Sequence, residues 1–124
     1  MVKILAIDDE QGFTDLVMNY FAPRGFKVLV AHEGRAGLKL AKAEAPEFCL
    51  IDLKMPGIHG DEVLKEIRAT LPGSRCIMIT ASEGGGHTRA RLKAMGAYTC
   101  FDKPLTSLKN LEQSIREAMS SDAL

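Results

Sequence analysis

Five short apolar or β-branched runs, each followed by a longer stretch of helical periodicity, constrain this chain more than any other feature. The runs are Lys3 to Ile7, Lys27 to Ala31, Phe48 to Ile51, Cys76 to Ile79 and Tyr98 to Phe101. Runs this short, with little alternation, suit strands buried on both faces, as in a parallel sheet. Between them, Phe13, Leu16, Val17, Tyr20 and Phe21 recur at the spacing of one helix face. Val63, Leu64, Ile67 and Leu71 form a second stripe, and Leu108, Leu111, Ile115 and Met119 a third. Leu38, Ala41 and Ala45 make a thinner one, and Leu92 with Met95 a weak one before Gly96. Strand and helix thus alternate along the whole chain, which predicts an α/β fold with a parallel sheet and helices on both faces. Pro23 with Gly25, Pro46, and Pro72 with Gly73 punctuate the pattern, and Gly84-Gly85-Gly86 reads as a flexible connection.

A length of 124 residues leaves room for one hydrophobic core, so residues 1–124 are expected to form a single domain. Sixteen basic and sixteen acidic residues cancel, which gives no electrostatic reason to expect nucleic acid or an anionic membrane as a partner. The opening MVKILAIDDE is too short in apolar residues for a secretory signal. No run approaches the ~20 apolar residues of a membrane span. Cys49, Cys76 and Cys100 show no CxxC pair and no metal-ligand spacing, and each lies in an apolar run. Buried, inert thiols in a reducing cytoplasm are therefore expected.

What ends each run carries the chemistry. The first is followed by Asp8-Asp9, the third by Asp52, the fourth by Thr80 and the fifth by Asp102-Lys103. In a parallel α/β sheet the carboxyl ends of the strands share one edge, where ligands bind. Carboxylates, a hydroxyl and an amine distant in sequence are thereby gathered together. Packed carboxylates repel one another unless some are protonated or a cation sits among them. Hard oxygen donors without cysteine or histidine suit Mg²⁺, with Mn²⁺ as a substitute. An aspartate neutralised in this way can attack phosphorus, while the lysine and threonine hold phosphoryl oxygens. Singly, each residue has a plainer role: Asp8 or Asp9 as a helix cap, Asp52 as a polar strand end, Lys103 as a solvated side chain. Their joint arrival at matching strand ends favours a functional cluster.

Taken in order, Ile7-Asp8-Asp9-Glu10, the segment Asp52 to Gly60, Thr80-Ala81, Gly96-Ala97 and Lys103-Pro104 resemble the receiver domains of two-component response regulators over essentially the whole chain. The resemblance implies a flavodoxin-like five-stranded parallel sheet in the order 2-1-3-4-5 with five helices. It implies Asp52 as phosphoacceptor, with Mg²⁺ bound by Asp9, Asp52 and the backbone carbonyl of Lys54, and Asp8 reaching the ion through water. Thr80 and Lys103 would hold the phosphoryl oxygens, and the Lys103-Pro104 bond would be cis. The donor would be a phosphohistidine on a sensor histidine kinase or phosphotransfer protein. Output would pass to a protein partner or to an effector domain beyond this segment. Relatives often pair through the fourth helix, fifth strand and fifth helix, so a homodimer is compatible, although nothing in the sequence demands it.

Four features depart from the family pattern. Cys100 replaces the usual aromatic switch residue three before the lysine, and alternation aims the adjacent Phe101 at the other face. The segment from Thr80 to Gly96 is one residue longer than usual. His59 stands where a small polar residue often precedes the glycine. Lys54 and Ser82 flank the expected path of hydrolytic water and are poor general bases, which predicts a slowly decaying aspartyl phosphate. His32 and His87 read as loop or helix-start residues. Two other functions fit parts of the pattern. One is a Mg²⁺-dependent phosphatase of the haloacid-dehalogenase type, opposed by Lys54 where that family has a second aspartate. The other is a receiver-like interaction module that takes no phosphate.

Overall fold

The computed structural model describes residues 1–81, 85–105 and 107–122. Five strands alternate with five α-helices: β1 (Lys3–Ile7), α1 (Gln11–Phe21), β2 (Lys27–Ala31), α2 (Gly34–Glu44), β3 (Phe48–Asp52), α3 (Gly60–Thr70), β4 (Arg75–Ala81), α4 (Gly85–Ala94), β5 (Thr99–Lys103) and α5 (Leu108–Asp122). All strand pairs are parallel and the order is β2-β1-β3-β4-β5. This is the expected flavodoxin-like α/β arrangement. Ser82, Gly84 and the end of the chain, which the sequence reading touched, lie outside the described residues.

The period-two geometry of the strands divides the apolar residues between two cores. Leu5, Ile7, Cys49, Ile51, Cys76 and Met78 face α2, α3 and Leu92 of α4. Ile4, Ala6, Phe48, Leu50, Ile77 and Ile79 face α1 and α5, where Val17, Phe21, Leu111 and Ile115 pack. Burial on both faces holds for the central strands β1, β3 and β4; β2 and β5 are edge strands and stay partly open. The three cysteines are free and buried, and Cys49 lies opposite Cys76 in the β3–β4 register.

Several boundaries differ from the sequence reading. β4 and β5 run on through Thr80-Ala81 and Asp102-Lys103, because the ladder pairs Thr80 with Asp102 and Ala81 with Lys103. Thr80, Asp102 and Lys103 carry no apolar signal and Ala81 only a weak one, so the sequence placed them beyond the strands. Tyr98 falls just before β5 and is largely exposed beneath the Arg75 guanidinium. Leu16 of α1 is exposed rather than part of the packed stripe. Ala45 is not on the buried face of α2 either: it caps the helix in the left-handed region at φ 47°, with its N–H bonded to the Ala41 carbonyl. That face is instead built from Gly34, Gly37 and Ala41, with Gly37 so close to β1 that a Cβ would meet the Ile7 side chain at 2.5 Å.

Candidate functional site

Register brings the predicted residues to one edge. Ile7 lies level with Ile51 and Asp52 level with Ile79, so Asp8 and Asp52 leave neighbouring strands side by side while Thr80 stands one step further along β4. The approach of α3 depends on a single glycine. A Cβ on Gly60 would collide with the Asp52 carbonyl oxygen, and the Gly60 N–H donates to the Leu53 carbonyl at 2.8 Å. The first turn of α3 can therefore rest against the end of β3 only because Gly60 has no side chain. His59 precedes it as an exposed N-cap whose side chain makes no capping bond.

Asp8 and Asp52 are both buried. Lys103, only 15% exposed at its side chain, reaches over them: Nζ is 2.7 Å from Asp8 Oδ2, 2.9 Å from Glu10 Oε1 and 3.5 Å from Asp52 Oδ2. Asp8 Oδ1 accepts the Glu10 main-chain N–H at 2.9 Å. Its Oδ2 meets the ammonium as an ion pair but outside hydrogen-bond geometry, leaving a buried oxygen with no directed donor. The Phe13 ring centroid lies 5.0 Å from Lys103 Nζ.

These surroundings act on the charges in a consistent way. Burial, with the neighbouring Asp8 charge next, pushes the Asp52 carboxyl up to about 6; Lys103 and the Lys54 main-chain N–H work against the rise, and Asp9 adds to it. Burial also raises Asp8, opposed by Lys103 and the Glu10 N–H. Desolvation weakens the Lys103 ammonium, but Asp8, Glu10 and Asp52 outweigh it and its pKa rises above the lysine range.

The carboxylate oxygens of Asp8, Glu10 and Asp52 come within 4.8 Å of one another. Asp9, expected among the ligands, is exposed at the rim and outside that set, although its charge still reaches Asp52. Glu10 is the residue that the sequence reading missed, and only its place in the acidic run Asp8-Asp9-Glu10 hinted at a role. Thr80 is buried, and its hydroxyl donates to the Ala81 carbonyl at 3.2 Å. Asp102 points elsewhere, pairing with Arg89 at 2.7 Å. Cys100 belongs to the core on the α2–α3 side and Phe101 to the opposite one, as alternation requires. The donor set fits a divalent cation: the oxygens are hard, mutually repelling and include one without a directed partner.

This edge of a 2-1-3-4-5 sheet, with two buried aspartates under a lysine, defines a receiver, and comparison with known proteins agrees. A family model of the response regulator receiver domain matches residues 4–116, and the chain belongs to that family. Sporulation initiation phosphotransferase F of Bacillus subtilis is 34% identical over 102 residues, 82% of each chain. The transcriptional regulatory protein CpxR of Klebsiella pneumoniae is 36% identical over 104 residues, 84% of this chain but 44% of its own length. A CheY-like receiver domain protein from Methanospirillum hungatei superposes with a TM-score of 0.90 at 25% identity, covering 98% of this chain and 95% of the other. A receiver domain protein from Clostridium thermocellum gives 0.90 at 26% identity, with 99% and 98% covered. The chain thus spans most of the first relative and under half of the second. Of the three functions weighed from sequence, the two-component receiver is the one supported. Receivers are signalling modules that bind Mg²⁺ through acidic residues and are phosphorylated by histidine kinases or phosphotransfer proteins. Among the described residues no helix is long and apolar enough to cross a membrane.

Proposed function

We propose that Asp52 is the phosphoacceptor, taking a phosphoryl group from a phosphohistidine on a sensor histidine kinase or phosphotransfer protein in the cytoplasm. The observation that carries this reading is the convergence of one buried ammonium, Lys103, on two buried carboxylates, Asp8 and Asp52, at the carboxyl edge of the sheet. In the transfer an Asp52 carboxylate oxygen forms a bond to phosphorus as the phosphorus–nitrogen bond breaks. The imidazole, protonated on its other ring nitrogen, leaves with the electron pair and so ends neutral. Lys103 then pairs with one phosphoryl oxygen as a compact point charge. The Thr80 hydroxyl turns from the Ala81 carbonyl to donate to another. Asp9, Asp52 and the Lys54 carbonyl, with Asp8 beside them, would hold Mg²⁺, which would offset the carboxylate and phosphate charges so that the two can meet.

Phosphorylation adds roughly −1.5 to −2 charge at neutral pH. That charge draws Lys103 and Thr80 inward and repacks α4 and β5 for a downstream protein or an attached effector domain, or for pairing with a second copy. With Cys100 in place of an aromatic residue, this response runs without the ring movement usual in the family. Lys54, beside the site and unable to act as a base while protonated, favours slow loss of the phosphoryl group by hydrolysis, which is self-limiting and not turnover. The test is labelling with acetyl phosphate. The wild type is expected to take up one phosphoryl group only when Mg²⁺ is present, and Asp52→Asn none. Full labelling of Asp52→Asn would place the acceptor elsewhere.

A further inference from the structure

Lys103 is held from two sides, and only one of them belongs to the acceptor pair. Its ammonium lies 2.9 Å from Glu10 against 3.5 Å from Asp52, so in this resting arrangement the Asp52 contact is the longest of its three ion pairs. Glu10 occupies the N-cap position of α1, yet its side chain makes no capping bond to the helix and reaches instead across to β5. The Phe13 ring, one turn on, closes over the same ammonium at 5.0 Å. Asp8 fixes the start of this arm by accepting the Glu10 N–H.

We propose that Glu10 is a positioning residue that parks Lys103 at the first turn of α1, so that the lysine must leave Glu10 before it can serve a phosphoryl group on Asp52. The proposal rests on the assignment of Asp52 as acceptor. Glu10 is 66% exposed, so its pair with Lys103 is a solvent-screened one, and such pairs have modest strength. Its effect is therefore a bias between two positions of the lysine. Freed from Glu10, Lys103 is available to the phosphoryl group at all times, and the phosphoryl-bound form gains.

The measurement is the affinity of the full chain for beryllium fluoride, a mimic of the aspartyl-bound phosphoryl group, by ¹⁹F NMR at fixed Mg²⁺. Glu10→Gln removes the charge and the pair together. Glu10→Asp keeps the charge, but its shorter side chain suits the N-cap and turns to the helix N–H groups. Both variants are expected to bind about two- to fivefold more tightly than the wild type, the range an exposed ion pair supplies. An unchanged Glu10→Gln, or a Glu10→Asp that keeps wild-type affinity while Glu10→Gln gains, overturns the proposal, because the second outcome would mean that only the local charge matters. Beryllium fluoride binding to Asp52→Asn as tight as to the wild type would instead overturn the acceptor assignment, so the two failures are distinct.

Discussion

At Asp52 the fold and the proposed function pull against each other. Its carboxyl is raised from 3.8 to about 6, first by burial and then by the Asp8 charge. A carboxyl raised in the folded state stabilises the fold while protonated, below its unfolded value, and loses that contribution as pH rises through the folded value. At pH 7.5 the ionised group therefore costs the fold on the order of 2–3 kcal/mol. Asp52→Asn removes the charge, and urea unfolding at pH 7.5 is expected to show a gain of about that size. The gain should fade as pH falls from 6 towards 4, where the wild-type carboxyl is itself neutral. A gain independent of pH would mean that the charge is not its source. At this scale Asp52, Thr80 and Lys103 were legible in the sequence because each closes an apolar run. Glu10 was not, since its role depends on a side chain crossing to a lysine 93 positions away.

At the scale of elements, close approach matters more than apolar stripes. Gly60→Ala drives a Cβ into the Asp52 carbonyl, which is backbone and cannot rotate aside. A loss of about 2–3 kcal/mol is expected, as for other overpacked sites. Labelling of Asp52 should fall with it, because α3 and the strand end must separate. Gly37→Ala meets a side chain, Ile7, which can shift, and it recovers about 1 kcal/mol of helix propensity. It should cost less than Gly60→Ala in the same urea series; the reverse order would contradict the contacts described. The strong stripes of α3 and α5 and the cores of all five strands could be read from the sequence. The buried face of α2 could not, because glycine has no hydrophobicity to register and Ala45 sits outside the helix as its cap. The full lengths of β4 and β5 also escaped notice, since their last residues are kept in the sheet by main-chain pairing rather than by apolar side chains.

For the whole molecule, alternation of runs and stripes was enough to require a parallel sheet covered on both faces. It did not dictate which strands are neighbours; the order 2-1-3-4-5 came from the resemblance, because several orders satisfy the same alternation. The site is likewise a property of the assembled sheet, and it links stability to metal. At ten times its dissociation constant Mg²⁺ adds about 1.4 kcal/mol, which should raise Tm by roughly 4–8 °C. A chelator should reverse the rise, and at pH 5 protons on Asp52 should shrink it; a rise that survives Asp52→Asn unchanged would put the ion at another site. Burial of the thiols has a consequence for handling the protein. Cys49 and Cys76 face each other across the central strands with no surface open to solvent, and Cys100 is nearly as enclosed. A sulfhydryl reagent can reach that pair only in molecules whose sheet has come apart, so the chain carries an internal counter of its own global openings.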